Sequence, residues 1–293
     1  MTAIIEEPTT QRTTDFLWLD LTRKCQLACV HCYNGSGPDG SHGAMSRADW
    51  VRVLDEAADL GVRHVQLIGG EPTLHPDGLT LADHALSLGL AIEVYSNLVH
   101  VTDAWWQLLQ RDGASLATSY YSDRADEHAA VTGRPRSHAR TLANIKKALQ
   151  LGIPLRAGLV GITDTQRVEA ARQELEALGV QRINVDHARP FGRAAQDQAP
   201  SASGLCGQCG TGRASIGPDG TVSPCIMSAA LMGVGNVRTT ALGDILGGPA
   251  LIAANTEIRL AKKKSDDGPC DPACDPNAEC SPGFPSSECD PRR

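Results

Sequence analysis

Aromatic residues are scarce: Phe, Trp and Tyr make up only 4% of the 293 residues. The core must therefore be built from aliphatic side chains and alanine. Basic excess is absent too. Lys and Arg number 27 against 34 Asp and Glu, a net charge of −7, which lacks the electrostatic footprint of a nucleic-acid binder. The one cationic run, residues 262–264, is followed at once by Ser-Asp-Asp and reads as a solvated face. The acidic start, MTAIIEEPTTQRTTDF, has none of the about 7–15-residue apolar core of a secretory signal. No stretch approaches the roughly 20 apolar residues that span a bilayer. These absences make a reducing, cytoplasmic setting the default, with neither nucleic acid nor membrane as partner. In that setting disulfides rarely persist, so the ten cysteines are expected to serve metal binding or catalysis.

What is present alternates. Apolar, β-branched runs occur at 16–21, 63–68, 90–96, 115–121, 154–161 and 182–188, with amphipathic stretches between them. The stretch 46–61 opens with Ser46 and Asp49 at capping-box spacing and stops at Gly61. Stretches 138–152 and 167–179 also end in glycine, as helix C-termini often do. Six βα units in succession predict a parallel sheet with helices outside, either an open doubly wound sheet or a partial barrel. In both, the loops at the carboxyl ends of the strands form the active face. After residue 190 the character changes. Residues 191–204 read as a linker, and 205–293 as a helix-poor, turn-rich, cysteine-rich domain behind the 16–190 α/β domain and its 1–15 extension.

Cys25, Cys29 and Cys32 follow the first strand with spacing C-x3-C-x2-C. A structural zinc site needs a fourth ligand to close its tetrahedron, and His31 is poorly placed to share one small ion with its neighbour Cys32. Three thiolates from one tight loop suit a [4Fe–4S] cube whose fourth iron is left for a small molecule; zinc or a redox thiol is the competing reading. Gly69-Gly70-Glu71-Pro72 follows the second strand. The third runs into Tyr95-Ser96-Asn97, and the fourth into Ser119-Tyr120-Tyr121-Ser122. Each segment alone is an ordinary turn. Together they fall at the carboxyl ends of successive strands and face one mouth.

This ordered set resembles the radical S-adenosylmethionine superfamily. The resemblance implies a partial (β/α)6 barrel over residues 16–190, in which Cys25, Cys29 and Cys32 hold a [4Fe–4S] cluster that binds S-adenosylmethionine. It further implies that Tyr33, Gly69, Gly70, Glu71, Pro72, Ser96, Asn97 and Ser119 contact that cofactor. Glu71 is expected to pair with the ammonium, and Ser96 and Asn97 to meet the ribose. The implied reaction is reductive cleavage to a 5′-deoxyadenosyl radical, with an external donor of the flavodoxin or ferredoxin type supplying the electron.

Residues 216–225 read as a hairpin turning at Pro218-Asp219-Gly220. With Cys206 and Cys209 before it, Cys225 after it, and Cys270, Cys274, Cys280 and Cys289 in the tail, the C-terminal third resembles the SPASM extension of peptide-modifying radical enzymes. One or two auxiliary [4Fe–4S] clusters follow from that resemblance. The tail spacing, C-x3-C-x5-C-x8-C, departs from the usual block, and seven thiolates fall short of the eight that two closed clusters need. Cys206, Cys209 and Cys225 are expected to share one site, and Cys270, Cys274 and Cys280 another, with Cys289 completing either.

The implied substrate is a precursor peptide undergoing oxidative cross-linking or epimerisation, with a separate leader-peptide-binding protein as a further partner. A small-molecule dehydrogenase or epimerase acting on an aminoglycoside or cyclitol is the alternative. Trp105 and Trp106 read as packing, and His84, His128 and His138 as ordinary helix or loop residues. Tyr120 and Tyr121 are candidates for the cavity wall or the core. Arg156, Asp186 and Arg189, near strand ends, are candidate substrate or cofactor contacts.

Overall fold

A computed structural model describes residues 14–263; residues 1–13 of the 1–15 extension and Cys270, Cys274, Cys280 and Cys289 lie outside the described residues. Six parallel strands form the barrel wall: β1 (Phe16–Asp20), β2 (His64–Ile68), β3 (Ala91–Tyr95), β4 (Ala114–Tyr120), β5 (Leu155–Gly161) and β6 (Arg182–His187). The connecting helices are α1 (Arg47–Asp59), α2 (Gly78–Ser87), α3 (Asp103–Leu109), α4 (Ala125–Thr132), α5 (Ser137–Gln150) and α6 (Val168–Ala177). Every strand lies within a residue or two of its sequence-derived span.

Helix α1 begins where its capping box dictates. The Ser46 hydroxyl accepts from the Asp49 backbone N–H, and the Asp49 carboxylate accepts from the Ser46 N–H at 3.0 Å. The face carrying Trp50, Val53, Leu54 and Ala57 is buried, as spacing of three and four residues requires. Trp105 and Trp106 pack into the same core, as their helical position implies.

The sheet does not stop at the barrel. Its order is β6-β5-β4-β3-β2-β1-β7-β8-β9. Here β7 (Arg213–Ile216) pairs parallel with β1, and β8 (Thr221–Ser223) and β9 (Gly235–Asn236) continue antiparallel. The Pro218–Gly220 turn joins β7 to β8 as the turn residues predict. The C-terminal third is thus stitched onto the first barrel strand through backbone pairing. It also carries more helix than expected: α7 (Leu242–Leu246) and a 15-residue α8 (Pro249–Lys263). Lys262, read as part of a solvated run, is half-buried on that helix. Among the described residues, no helix is long and apolar enough to cross a membrane.

Candidate functional site

An open cleft of about 1060 Å³, mouth included, lies at the carboxyl ends of the barrel strands. Cys25, Cys29 and Cys32 line it together with Tyr33, Gly69, Gly70, Asn97 and Ser119. The cysteine loop is held in place by main chain. Val30 N–H donates to Val131 O, and Ala28 N–H to Thr132 O, each at 3.0 Å. Cys25 Sγ accepts from Leu27 N–H at 3.4 Å and from Asn97 Nδ2 at 3.6 Å. Asn97 also exchanges side-chain hydrogen bonds with Gln26, so the loop after β3 is tied directly to the cysteine loop.

Gly69 and Gly70 serve that loop as well as the cleft. A Cβ on Gly70 would lie 2.4 Å from Lys24 O, and one on Gly69 2.6 Å from Thr22 O. Gly69 also has φ +138°, which side chains rarely tolerate. The close approach lets Gly70 N–H reach Thr22 O at 2.7 Å and Glu71 N–H reach Lys24 O at 2.9 Å.

Three of the expected contacts stand behind the wall. The Glu71 carboxylate is fully buried. It accepts from Thr73 N–H at 3.2 Å, Thr73 Oγ1 at 2.7 Å and Asn97 N–H at 2.8 Å. The resemblance pairs it with an ammonium group; in the structure it bridges the loops after β2 and β3. Ser96 is also fully buried, its Oγ accepting from Leu98 N–H at 3.1 Å, and Pro72, itself buried, opens a 3-10 turn. Arg156 is corrected too. It lies buried at the opposite end of the barrel, paired through Nε and Nη2 with Glu93 at 2.7 and 2.6 Å. Asp186 and Arg189 do line the cleft, Arg189 Nη2 lying 3.3 Å from Asp186. Tyr121 lines it as well, whereas Tyr120 is buried and bonded to His138 Nε2 and Glu174.

Sequence reasoning missed Tyr95, Val160, Arg193, Ile226 and Met227, all on the cleft wall. Tyr95 and Val160 were legible as inward positions at strand ends; the others arrive from loops that carry no periodicity.

Burial pushes the Cys25 and Cys29 thiols up to about 12. Burial, helped by the Arg193 charge, holds the His31 imidazole down at about 4. Among the described residues no group of three or more His, Cys, Asp or Glu is placed to hold a single metal ion. Among the described residues, the buried Tyr33 hydroxyl and His31 Nδ1 find no hydrogen-bond partner. Three convergent thiols and unsatisfied polar atoms along one open cleft fit a polynuclear cluster with a polar small molecule beside it.

A second, smaller cavity adjoins the first and is lined by Cys206, Cys209 and Cys225. Cys209 Sγ and Cys225 Sγ are 3.1 Å apart. The hydrogen bond from Cys209 pulls the Cys206 thiol below its ordinary range, aided by the charges of Arg189 and Arg213 and opposed by burial. Arg189 and Met227 line both cavities and form the shared wall.

The radical SAM superfamily sequence model matches residues 19–173, just over half of the chain. The chain belongs to the radical SAM superfamily. A second family model, the SPASM iron–sulfur cluster-binding domain, matches residues 206–280. Together these domains imply [4Fe–4S] clusters and S-adenosylmethionine binding. Among curated proteins, the PqqA peptide cyclase of Methylobacterium nodulans is 31% identical over 189 residues, covering 62% of this chain and 49% of that protein. The PqqA peptide cyclase of Gluconobacter oxydans is 27% identical over 178 residues, covering 60% and 50%. The chain thus spans about half the length of the curated relatives it matches. In fold it resembles Streptococcus suis SuiB bound to S-adenosylmethionine (TM-score 0.70, 16% identity, 84% of this chain and 68% of that one). It also resembles anSMEcpe with bound AdoMet (0.66, 13%, 84% and 83%) and BtrN in complex with AdoMet and 2-DOIA (0.52, 13%, 89% and 93%). At such identities these superpositions establish the superfamily's fold in this chain.

Proposed function

We propose that this protein reductively cleaves S-adenosylmethionine and uses the resulting 5′-deoxyadenosyl radical to oxidise a ribosomally made precursor peptide. One observation carries the reading: the loop of Cys25, Cys29 and Cys32 and the ends of β2, β3 and β4 open into one cleft, whose wall is shared with a second thiol-lined cavity. Cys25, Cys29 and Cys32 would hold the [4Fe–4S] cluster, with Tyr33, Gly69, Gly70, Asn97 and Ser119 beside the cofactor. When bound, cluster and cofactor together supply the one-electron chemistry that generates a hydrogen-abstracting radical.

The protein's own part is placement. Glu71, through Asn97, fixes the loops that flank the cysteines, and Val160, Ile226 and Met227 present an apolar wall that keeps water from the reacting atoms. Cys206, Cys209 and Cys225 would hold an auxiliary [4Fe–4S] cluster, and its cavity next to the cleft favours net oxidation over epimerisation. The tail cysteines would serve a second such cluster or complete the first.

The peptide substrate is supported by relatives named as PqqA peptide cyclases and by the likeness to SuiB bound to precursor peptide SuiA. An external flavodoxin- or ferredoxin-type donor and a separate leader-binding protein would be the partners. A second reading, a small-molecule dehydrogenase, is favoured by the likeness to BtrN across 93% of that chain. Anaerobically reconstituted protein with a strong reductant should release 5′-deoxyadenosine, and Cys29→Ala should not. Equal output from both defeats the proposal. Loss of two hydrogens from a candidate peptide marks oxidation. Unchanged mass with deuterium uptake from solvent marks epimerisation, and turnover confined to a cyclitol or aminoglycoside favours the second reading.

A further inference from the structure

The segment after β6 reaches back across the cleft to the cysteine loop. Gly192 has φ +54°, and a Cβ there would lie 2.3 Å from both Cys32 O and Tyr33 O. The chain passes this close only because it lacks a side chain at that point. The next residue makes three bonds to the loop. Arg193 N–H donates to Cys32 O at 2.9 Å, Nε to Cys29 O at 2.7 Å and Nη2 to Ser36 O at 2.8 Å. The guanidinium thus ties together the two carbonyls that bracket the Cys29–Ser36 turn, 164 residues away from Cys29 in sequence. The Arg193 side chain lines the cleft.

We propose that Arg193 is a positioning residue: it clamps the cysteine loop into its ligand-presenting shape and sets a fixed positive charge beside the group those thiols hold. The second half rests on the cluster reading above; the first does not. A planar fork can donate to two carbonyls at once, which a lysine ammonium on its flexible stem does poorly. A cation next to a thiolate-bound cluster favours its more negative, reduced form, since net charge and hydrogen bonding set such potentials. The same segment carries Arg189 on the cleft wall, beside Asp186 at the end of β6, so the clamp also ties this wall of the cleft to the cysteine loop.

Arg193→Lys keeps the charge and loses the fork; Arg193→Gln loses the charge. In iron-free protein, the Cys32 and Gly35 amides, which donate to Cys29 O and Cys32 O, should exchange with deuterium at least about tenfold faster in both variants, with the barrel strands unchanged. Unchanged exchange at both amides overturns the clamp, and so does a uniform loss of protection across the barrel, which marks a general structural role. In reconstituted protein, Arg193→Gln should shift the oxidised-to-reduced ratio by about tenfold toward oxidised, about 59 mV for one electron, whereas Arg193→Lys stays near wild type. An unshifted potential in Arg193→Gln overturns the charge role. Should wild-type protein assemble no cluster, the cluster reading fails, and the exchange data alone decide the clamp.

Discussion

Replacing Gly70 with alanine tests whether the glycine pair is there to seat the cysteine loop. The added carbon would sit 2.4 Å from Lys24 O, 2.8 Å from Lys24 C and 3.1 Å from Arg23 C. All three atoms are main chain, so no rotamer change relieves the overlap. Relief means moving the exit of β2 about 1 Å from the segment leading into Cys25, an ordinary carbon contact being about 3.5 Å or more. That shift breaks two backbone hydrogen bonds, Gly70 N–H to Thr22 O and Glu71 N–H to Lys24 O. With each bond contributing about 0.5–1.5 kcal/mol, and more where a donor is left unsatisfied, the cost is about 2–4 kcal/mol. At about 2–4 °C per kcal/mol for a chain of this size, the iron-free protein should melt roughly 5–15 °C lower. Gly37 in the same loop is the control, since the nearest atom to its Cβ is 4.0 Å away. Differential scanning calorimetry and iron counting on Gly70→Ala and Gly37→Ala decide the matter. If the two variants melt together and take up equal iron, the close-approach argument is wrong.

Truncating Glu93 to alanine removes the carboxylate paired with the buried Arg156 charge and should destabilise by about 3–5 kcal/mol in denaturant titration; Glu93→Leu with Arg156→Met should recover most of that. Burial lowers the His128 imidazole to about 4. Because the unfolded chain binds that proton more readily, stability present above the unfolded value of about 6.5 is lost as pH falls toward about 4. Titrating denaturation midpoints from pH 7 to 4 should give a shallower slope for His128→Gln than for wild type. Iron and sulfide counting should give about four irons fewer for Cys209→Ala with 5′-deoxyadenosine release retained; an unchanged count removes Cys209 from the auxiliary site.

The strands and helices were legible because hydrophobic period and capping chemistry act within a few residues. The alternation of β-branched runs with amphipathic stretches set β1 to β6, and Ser46 with Asp49 set the start of α1. The cysteine spacing and the polar segments after β2, β3 and β4 were equally local, so their convergence on one mouth followed from topology. The long helix α8 was not read, because the glycine- and proline-rich surroundings masked its modest periodicity.

What the sequence determined by itself was which segments meet: strand ends in a parallel βα array face one side whatever their side chains do. Which atoms meet was decided by the tertiary structure. Glu71 turns inward where Asn97 N–H, from the loop after β3, claims its carboxylate, and Arg156 finds Glu93 only where β3 and β5 share a barrel interior. Arg193 reaches Cys29 across more than half the chain. Such contacts depend on the summed geometry of every intervening element, which no local pattern encodes.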